Sequence, residues 1–139
     1  MDYKESNGKY FIRLNRGEEI VSTLKKFCEK ENIKAGFVAG IGAVDSVTLG
    51  YFNPETKAYN EETINDFMEI TSLLGNVSEN KNKPHLHLHI NLSGSDYNTI
   101  GGHLIAATIS LTSEICINKF DEKVGRKFDS ETGINLLSF

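Results

Sequence analysis

Residues 84–92 read PHLHLHINL, and after Pro84 polar and apolar side chains alternate strictly. An alternation with a period of two is typical of a β-strand with one face against a core. On such a strand His85, His87 and His89 lie on one face, while the leucines and isoleucine between them face the other way. The stretch therefore predicts a strand that collects three imidazoles on one side.

The fourth and last histidine of the chain, His103, opens the next apolar run in IGGHLIAA. A hairpin-like return of the chain would bring it beside the first three. Imidazoles from two neighbouring strands suit zinc or another divalent metal ion. The alternative is that the histidines form the solvated polar face of the strand. Gly101-Gly102, directly before His103, indicates either a close approach of the backbone to its surroundings or a turn.

Length and composition bound the class of protein. With 139 residues, 39% apolar and 24% charged, the chain predicts one domain over 1–139, with an ordered core over about 8–139. The net charge of −4 argues against direct nucleic-acid binding, which needs a basic face. The beginning of the sequence lacks a signal-peptide core, no apolar run reaches membrane-spanning length, and Cys28 and Cys116 predict free thiols. These features favour a cytoplasmic protein without membrane contact.

The remaining periodicities predict the fold class. Residues 16–31 follow helical spacing, with Asn15 as the expected cap and Glu18 completing a capping box. Strand patterns follow over 34–44, 45–52, 58–63, 67–77, 84–92 and 102–120, and 10–14 forms an earlier strand. We expect an α+β domain, in which one amphipathic helix near the N-terminus packs on a mostly antiparallel β-sheet.

Three charged residues outside the histidine runs are further candidates. Glu69 and Glu114 lie inside strand-like apolar runs. Each either faces solvent or orients a metal-bound histidine, or acts as a base beside a bound water. Arg126 either clamps an anion or pairs with a buried carboxylate. The chain carries none of the short motifs of hydrolases, zinc proteases or nucleotide-binding loops, so whether it is an enzyme stays open.

Several motifs together resemble one known family. They are G-I-G-A-V and L-G-Y-F in AGFVAGIGAVDSVTLGYFN (35–53), E-I-x-S-L-x-G-N in MEITSLLGNVS (68–78), H-x-H in PHLHLHINLSGSD (84–96), and G-G-H in IGGHLIAATISLTSEICI (100–117). This combination resembles the PPC domain, the plant and prokaryote conserved domain, in its free-standing prokaryotic type. The likeness covers about residues 11–139.

The resemblance implies a homotrimer that holds a divalent metal, zinc before other ions, through His87, His89 and His103. His85 stands where the family pattern has an apolar residue, so it is expected to be dispensable. Glu69, Glu114 and Arg126 match family positions. The AT-hook that accompanies the domain in plants has an R-G-R-P core, which this chain lacks.

Two functions follow as hypotheses. The first is a homotrimeric protein whose three-histidine zinc site binds or converts a small molecule. The second is a regulatory or assembly module that acts through protein partners, with any DNA contact supplied by a partner. The histidine cluster favours the first hypothesis, because an assembly module does not need it.

Overall fold

Nine strands and one helix make up the protein, and the computed structural model describes all 139 residues. The expected α+β class, with a mostly antiparallel sheet and an early helix packed on it, is confirmed. The elements are β1 (Asp2–Ser6), β2 (Lys9–Asn15), α1 (Ile20–Lys30), β3 (Gly36–Asn53), β4 (Ala58–Ile64), β5 (Met68–Asn80), β6 (Lys83–Ser93), β7 (Thr99–Lys119), β8 (Gly125–Phe128) and β9 (Asn135–Ser138).

Four of the strands form a closed ring of antiparallel pairings. Strand β3 pairs with β5 and β7, and β6 also pairs with β5 and β7. Strand β7 closes the ring because it pairs with β6 over Thr99–His103 and with β3 over His103–Lys119. The outer strands extend this ring: β2 lies beside β7, β1 beside β2, and β4 beside β3.

Helix α1 begins later than the sequence predicts. The expected cap at Asn15 is wrong, because the N-cap is Glu19, whose carboxylate accepts hydrogen bonds from the backbone of Val21 and Ser22. The backbone before it is committed to β7: the Gly17 N–H donates to the carbonyl of Ile109 at 2.8 Å. Glu18 does accept from the Asn15 N–H at 2.6 Å, which is half of the expected capping box, but this bond stabilises the turn that precedes the helix.

The helix and the interior of the ring share one hydrophobic core. The buried stripe of α1 packs against strands β6 and β7. The largest side chains in this core are almost completely buried, and they are Leu14, Ile20, Leu24, Phe27, Ile33, Leu73, Leu88, Ile90, Leu92, Ile109, Ile115 and Ile117. Leu88, Ile90 and Leu92 are the apolar half of the alternation in residues 84–92, so the histidines between them face outward.

Strand limits differ from expectation at three places. Residues 34–44 and 45–52 belong to a single 18-residue strand, β3, whose pairing with β7 shifts register after Gly42. Strand β1 lies before residue 8, where the sequence placed the start of the core. The last residues form the hairpin β8–β9, which joins the sheet at Glu79 of β5. No helix of the protein is long and apolar enough to cross a membrane.

Gly75 permits the close contact between β5 and β6. A Cβ atom at this position would lie 2.0 Å from the backbone carbonyl oxygen of His87, so a side chain would push the two strands apart. We expect Gly75→Ala to lower the free energy of unfolding by about 1–3 kcal/mol, as overpacking does. Gly94→Ala is the control, because the nearest atom to its added Cβ is an Asp96 side-chain oxygen at 3.7 Å. Equal urea midpoints for the two variants would contradict this prediction.

Candidate metal centre

The imidazoles of His87, His89 and His103 converge on the outer side of the ring. His89 lies directly opposite His103 in the β6–β7 pairing, and His87 lies two residues along β6 on the same face. Their ring centroids are 5.2–5.4 Å apart, and one nitrogen of each ring lies within 4.8 Å of the other two. Zinc–nitrogen bonds of about 2 Å put ligand nitrogens roughly 3.3 Å apart, so small side-chain rotations suffice for a shared ion.

Glycine in β7 brings His103 to this position. Gly101 and Gly102 lie inside β7 and not in a turn. A Cβ atom on Gly101 would lie 2.5 Å from the Ile90 carbonyl oxygen, so β7 can approach β6 this closely only without a side chain there. Of the two alternatives that the sequence left open, close backbone approach is therefore the one that the structure shows.

The site fits a metal ion by the chemistry of its donors. His103 Nδ1 is buried and has no hydrogen-bond partner in the protein. A buried polar nitrogen without a partner costs free energy, and a bound ion would remove that cost. The three histidines supply nitrogen donors only, a set that suits zinc, copper, nickel or iron better than magnesium or calcium.

The environment keeps His85, His87 and His103 in the neutral form of imidazole, which is the form that binds metals. Burial lowers the pKa of both His85 and His87 to about 4. The next cause is the Arg126 guanidinium for His85 and the His103 imidazole for His87. Burial also lowers the pKa of His103, and the nearby imidazole of His89 adds to the effect. At neutral pH these rings therefore carry a free lone pair, which is the ligating species.

His85 and Arg126 lie beside the cluster and not in it. His85 pairs with Ser78 of β5 and does not belong to the group whose ligand atoms converge. Arg126, from β8, is half-buried and donates to Ser78 Oγ and Asn76 Oδ1 at 2.7 and 3.1 Å. Both residues line a cavity of about 340 Å³ that also reaches His87 and His103.

Glu69 and Glu114 lie elsewhere on the sheet. Glu69 is exposed on β5, opposite Ala43 and Ser93. Glu114 is exposed on β7, opposite Arg13 of β2. Neither carboxylate lines the cavity beside the histidines. Within a single chain, both glutamates therefore face solvent, which is the first of the alternatives given for them.

Lys57 and Tyr59 are among the cavity residues that sequence reasoning missed. Lys57 lies in the turn after β3, and Tyr59 lies on β4, where its ring is 5.2 Å from that of His103. Neither residue belongs to a pattern that would have pointed to the histidines. The pairing of β4 with the end of β3 brings them there, because Phe52 lies opposite Tyr59.

A family model for the Plants and Prokaryotes Conserved (PCC) domain matches residues 1–121. The chain belongs to the PCC domain family. This is the resemblance that the G-I-G-A-V, H-x-H and G-G-H motifs indicated, under the variant abbreviation PPC. No curated protein matches the chain.

Solved structures of PCC-type proteins superpose on nearly the whole chain. A Bacteroides thetaiotaomicron protein, whose description proposes DNA binding, is 38% identical with a TM-score of 0.97, covering 99% of this chain and 96% of its own. A metal-containing protein from Archaeoglobus fulgidus is 33% identical with a TM-score of 0.88, covering 100% and 99%. A plant- and prokaryote-conserved protein from Pyrococcus horikoshii is 30% identical with a TM-score of 0.87, covering 99% and 94%.

The lowered pKa values predict how the stability of the metal-free PCC domain depends on pH. Histidine has a pKa near 6.5 when unfolded, against about 4 for folded His85 and His87. Between these values the unfolded chain binds protons that the folded chain does not, so stability falls as the pH drops from 6.5 to 4. Urea unfolding in EDTA at pH 7 and pH 4.5 measures the fall. It should be smaller in the double variant His85→Gln/His87→Gln, and an equal fall would contradict the prediction.

Proposed function

We propose that this protein is a homotrimeric metal-binding domain whose three-histidine site holds zinc and binds or converts a small molecule. The observation that carries the proposal is the convergence of ligand nitrogens from His87, His89 and His103 to within 4.8 Å of one another. The description of the Archaeoglobus fulgidus relative as a metal-containing protein supports it. Zinc is proposed before other divalent ions because three neutral imidazoles and one open position make a common catalytic zinc site.

The surroundings of the histidines suit a site that receives a ligand. Structural zinc sites are usually closed by four protein ligands, and many of these ligands are cysteines. Here Cys28 lies on the buried face of α1, and Cys116 is not among the residues that line the cavity. When bound, zinc would act as a Lewis acid and lower the pKa of a coordinated water. His103 and His87 border the cavity, so a molecule in the cavity would lie next to the ion.

Metal content in single alanine variants tests the site. We expect His87→Ala, His89→Ala and His103→Ala each to weaken zinc affinity by more than about 100-fold, since even outer-sphere changes cost 10–100-fold. His85→Ala is the matched control and should keep one zinc per chain. Competition with a chromophoric chelator measures affinity, and elemental analysis measures stoichiometry. Stoichiometric zinc in the His103→Ala protein, or loss of zinc in the His85→Ala protein alone, would refute the assignment.

A homotrimer is the assembly that the family resemblance implies, and a row of mostly apolar residues across the outer face of the sheet supports an interface between subunits. Directly paired residues share a face, and the register places Phe11, Cys116, Ala39, Leu74 and His89 in one row over five strands. The side chain of Phe11 is 68% exposed and that of Leu74 is 49% exposed. Exposed apolar side chains in a contiguous row are typical of an interface between subunits.

Breaking this row should release monomers. We expect the unaltered protein to have three times the chain mass of 15.5 kDa, and Phe11→Glu to sediment as a single chain because a carboxylate would be buried in the interface. Phe139→Glu, at the fully exposed last residue, is the control and should remain a trimer. Sedimentation equilibrium at micromolar concentration decides; a monomeric unaltered protein would refute the proposal.

The second candidate is a regulatory or assembly module. It is considered because the Bacteroides thetaiotaomicron relative is described as a DNA-binding protein on a provisional basis. Any direct contact with DNA would have to overcome the net charge of −4. We therefore expect no binding of duplex DNA by the protein alone below about 100 µM at physiological salt, where nonspecific affinities are typically weak. A fluorescence anisotropy titration that gives sub-micromolar affinity would overturn this expectation.

A further inference from the structure

The C-terminal hairpin covers one side of the histidine cluster. Strands β8 and β9 follow the segment that the family model matches, which ends at residue 121. From this hairpin, Arg126, Gly133 and Asn135 line the 340 Å³ cavity that also contains His87 and His103. A cavity of this size lies at the lower end of the range for small-molecule sites, so it suits a ligand of metabolite size.

Arg126 faces this cavity without a carboxylate partner. Its guanidinium donates to Ser78 Oγ at 2.7 Å, to the Asn135 carbonyl at 2.8 Å and to Asn76 Oδ1 at 3.1 Å. All three acceptors are neutral, and Arg126 takes part in none of the ion pairs of the protein. A guanidinium has five N–H donors, so two remain for a ligand. A half-buried, unpaired cation is the kind of group that an anion stabilises.

A second cation lies across the same cavity. Lys57 Nζ donates to the Ser130 carbonyl at 2.7 Å, and its stem packs against Gly133. No aspartate or glutamate lines the cavity. The Asp129 carboxylate accepts hydrogen bonds from the backbone and hydroxyl of Thr132, which together with Lys57 lower its pKa, and it does not line the cavity. The cavity lining itself carries two cationic side chains and no carboxylate, even before a metal ion is added.

Aromatic rings form another wall of the cavity. The Tyr59 ring lies 5.2 Å from the His103 ring and 5.2 Å from the Phe52 ring. This apolar surface lies next to the two cations, so it suits a ligand that has a carbon part as well as a charge. Inorganic phosphate has no part that would use this wall.

The hairpin that carries Arg126 is fixed to the ring of strands. The Glu79 N–H donates to the Val124 carbonyl at 2.8 Å, and the Glu79 carboxylate forms an ion pair with Lys123. The side-chain contacts of Arg126 to Ser78 and Asn76 add two further links to β5. The guanidinium is thus held in place before a ligand arrives, which reduces the entropy lost on binding.

We propose that the ligand of this site is a small organic carboxylate, with its charged end at Arg126 and Lys57 and its carbon part against the Tyr59 ring and the histidines. This inference rests on the proposed function, because it names the class of molecule that the metal site receives. The further claim is that two segments select the ligand by charge, namely the C-terminal hairpin through Arg126 and the β3–β4 turn through Lys57. The histidine strands do not.

Binding of pyruvate, compared with its neutral amide pyruvamide, tests the charge requirement. Both are titrated into zinc-loaded and metal-free protein, and the amide and Arg126 Nε–H resonances are followed by two-dimensional NMR. We expect pyruvate to shift Arg126, Gly133 and Asn135 and to bind at least tenfold more tightly than pyruvamide. Inorganic phosphate is the third probe; tighter binding of phosphate than of pyruvate at the same residues would overturn the carboxylate assignment.

Two variants separate a ligand contact from a structural role. We expect Arg126→Met to weaken pyruvate binding about 10- to 100-fold, the usual range for a hydrogen bond to a charged group. Because Arg126 also holds the hairpin, Lys57→Met provides a second measurement and should weaken binding by at least threefold with unchanged NMR dispersion. Arg13→Met, an exposed arginine on β2 that pairs with Asp2, is the control and should bind as the unaltered protein does.

The outcomes distinguish this inference from the metal site itself. Two results would overturn the carboxylate site alone if the protein still binds zinc. The first is equal affinity for pyruvate and pyruvamide. The second is pyruvate binding by the Lys57→Met and Arg126→Met proteins that equals binding by the unaltered protein. Absence of bound zinc overturns the metal site. In that case the affinities of metal-free protein for pyruvate and pyruvamide are compared, and equal affinities would overturn the carboxylate site as well.

Discussion

Strand β7 pairs with three different strands, and this pairing organises the molecule. It pairs with β6 at its beginning, with β3 from His103 onward, and with β2 over its last part. A strand can serve neighbours in different directions only if it bends, and the register shifts between β3 and β7 near Gly42, Ser46 and Leu49 provide the bends. The ring closes for this reason, and its closure separates a buried apolar interior from an outer face that carries the polar side chains.

The charged and polar side chains lie mostly on the outer face of the ring, because apolar side chains fill its interior. Alternation along β6 directs Leu88 inward and His87 and His89 outward, where the C-terminal hairpin then partly covers His87. Partial burial of His85, His87 and His103 lowers their affinity for protons without the full cost of a dry interior. It also leaves the Arg126 guanidinium next to three neutral rings, so the local charge is positive and unbalanced.

The sequence predicted what depends on local periodicity and missed what depends on distant contacts. The alternation around His87 was enough to predict the strand, and the converging side chains of His87, His89 and His103 follow from that strand and the next. The start of the helix was wrong because residues 17 and 18 bond to Ile109, nearly a hundred positions away. Lys57 and Tyr59 reach the cavity because β4 pairs with β3, and no sequence motif near these two residues predicts that pairing.

The three histidines lie on strands joined by a short connection, in a sheet that also contains long-range pairings. Strands β5, β6 and β7 follow one another with short connections, whereas β2 must find β7 across most of the chain, as in the pairing of Tyr10 with Ile117. Long-range pairing of this kind is slow because chain entropy is lost before contacts form. A metal ion that binds the β6–β7 hairpin early would hold two strands of the unfinished ring together, so metal supply would set the order in which the chain folds.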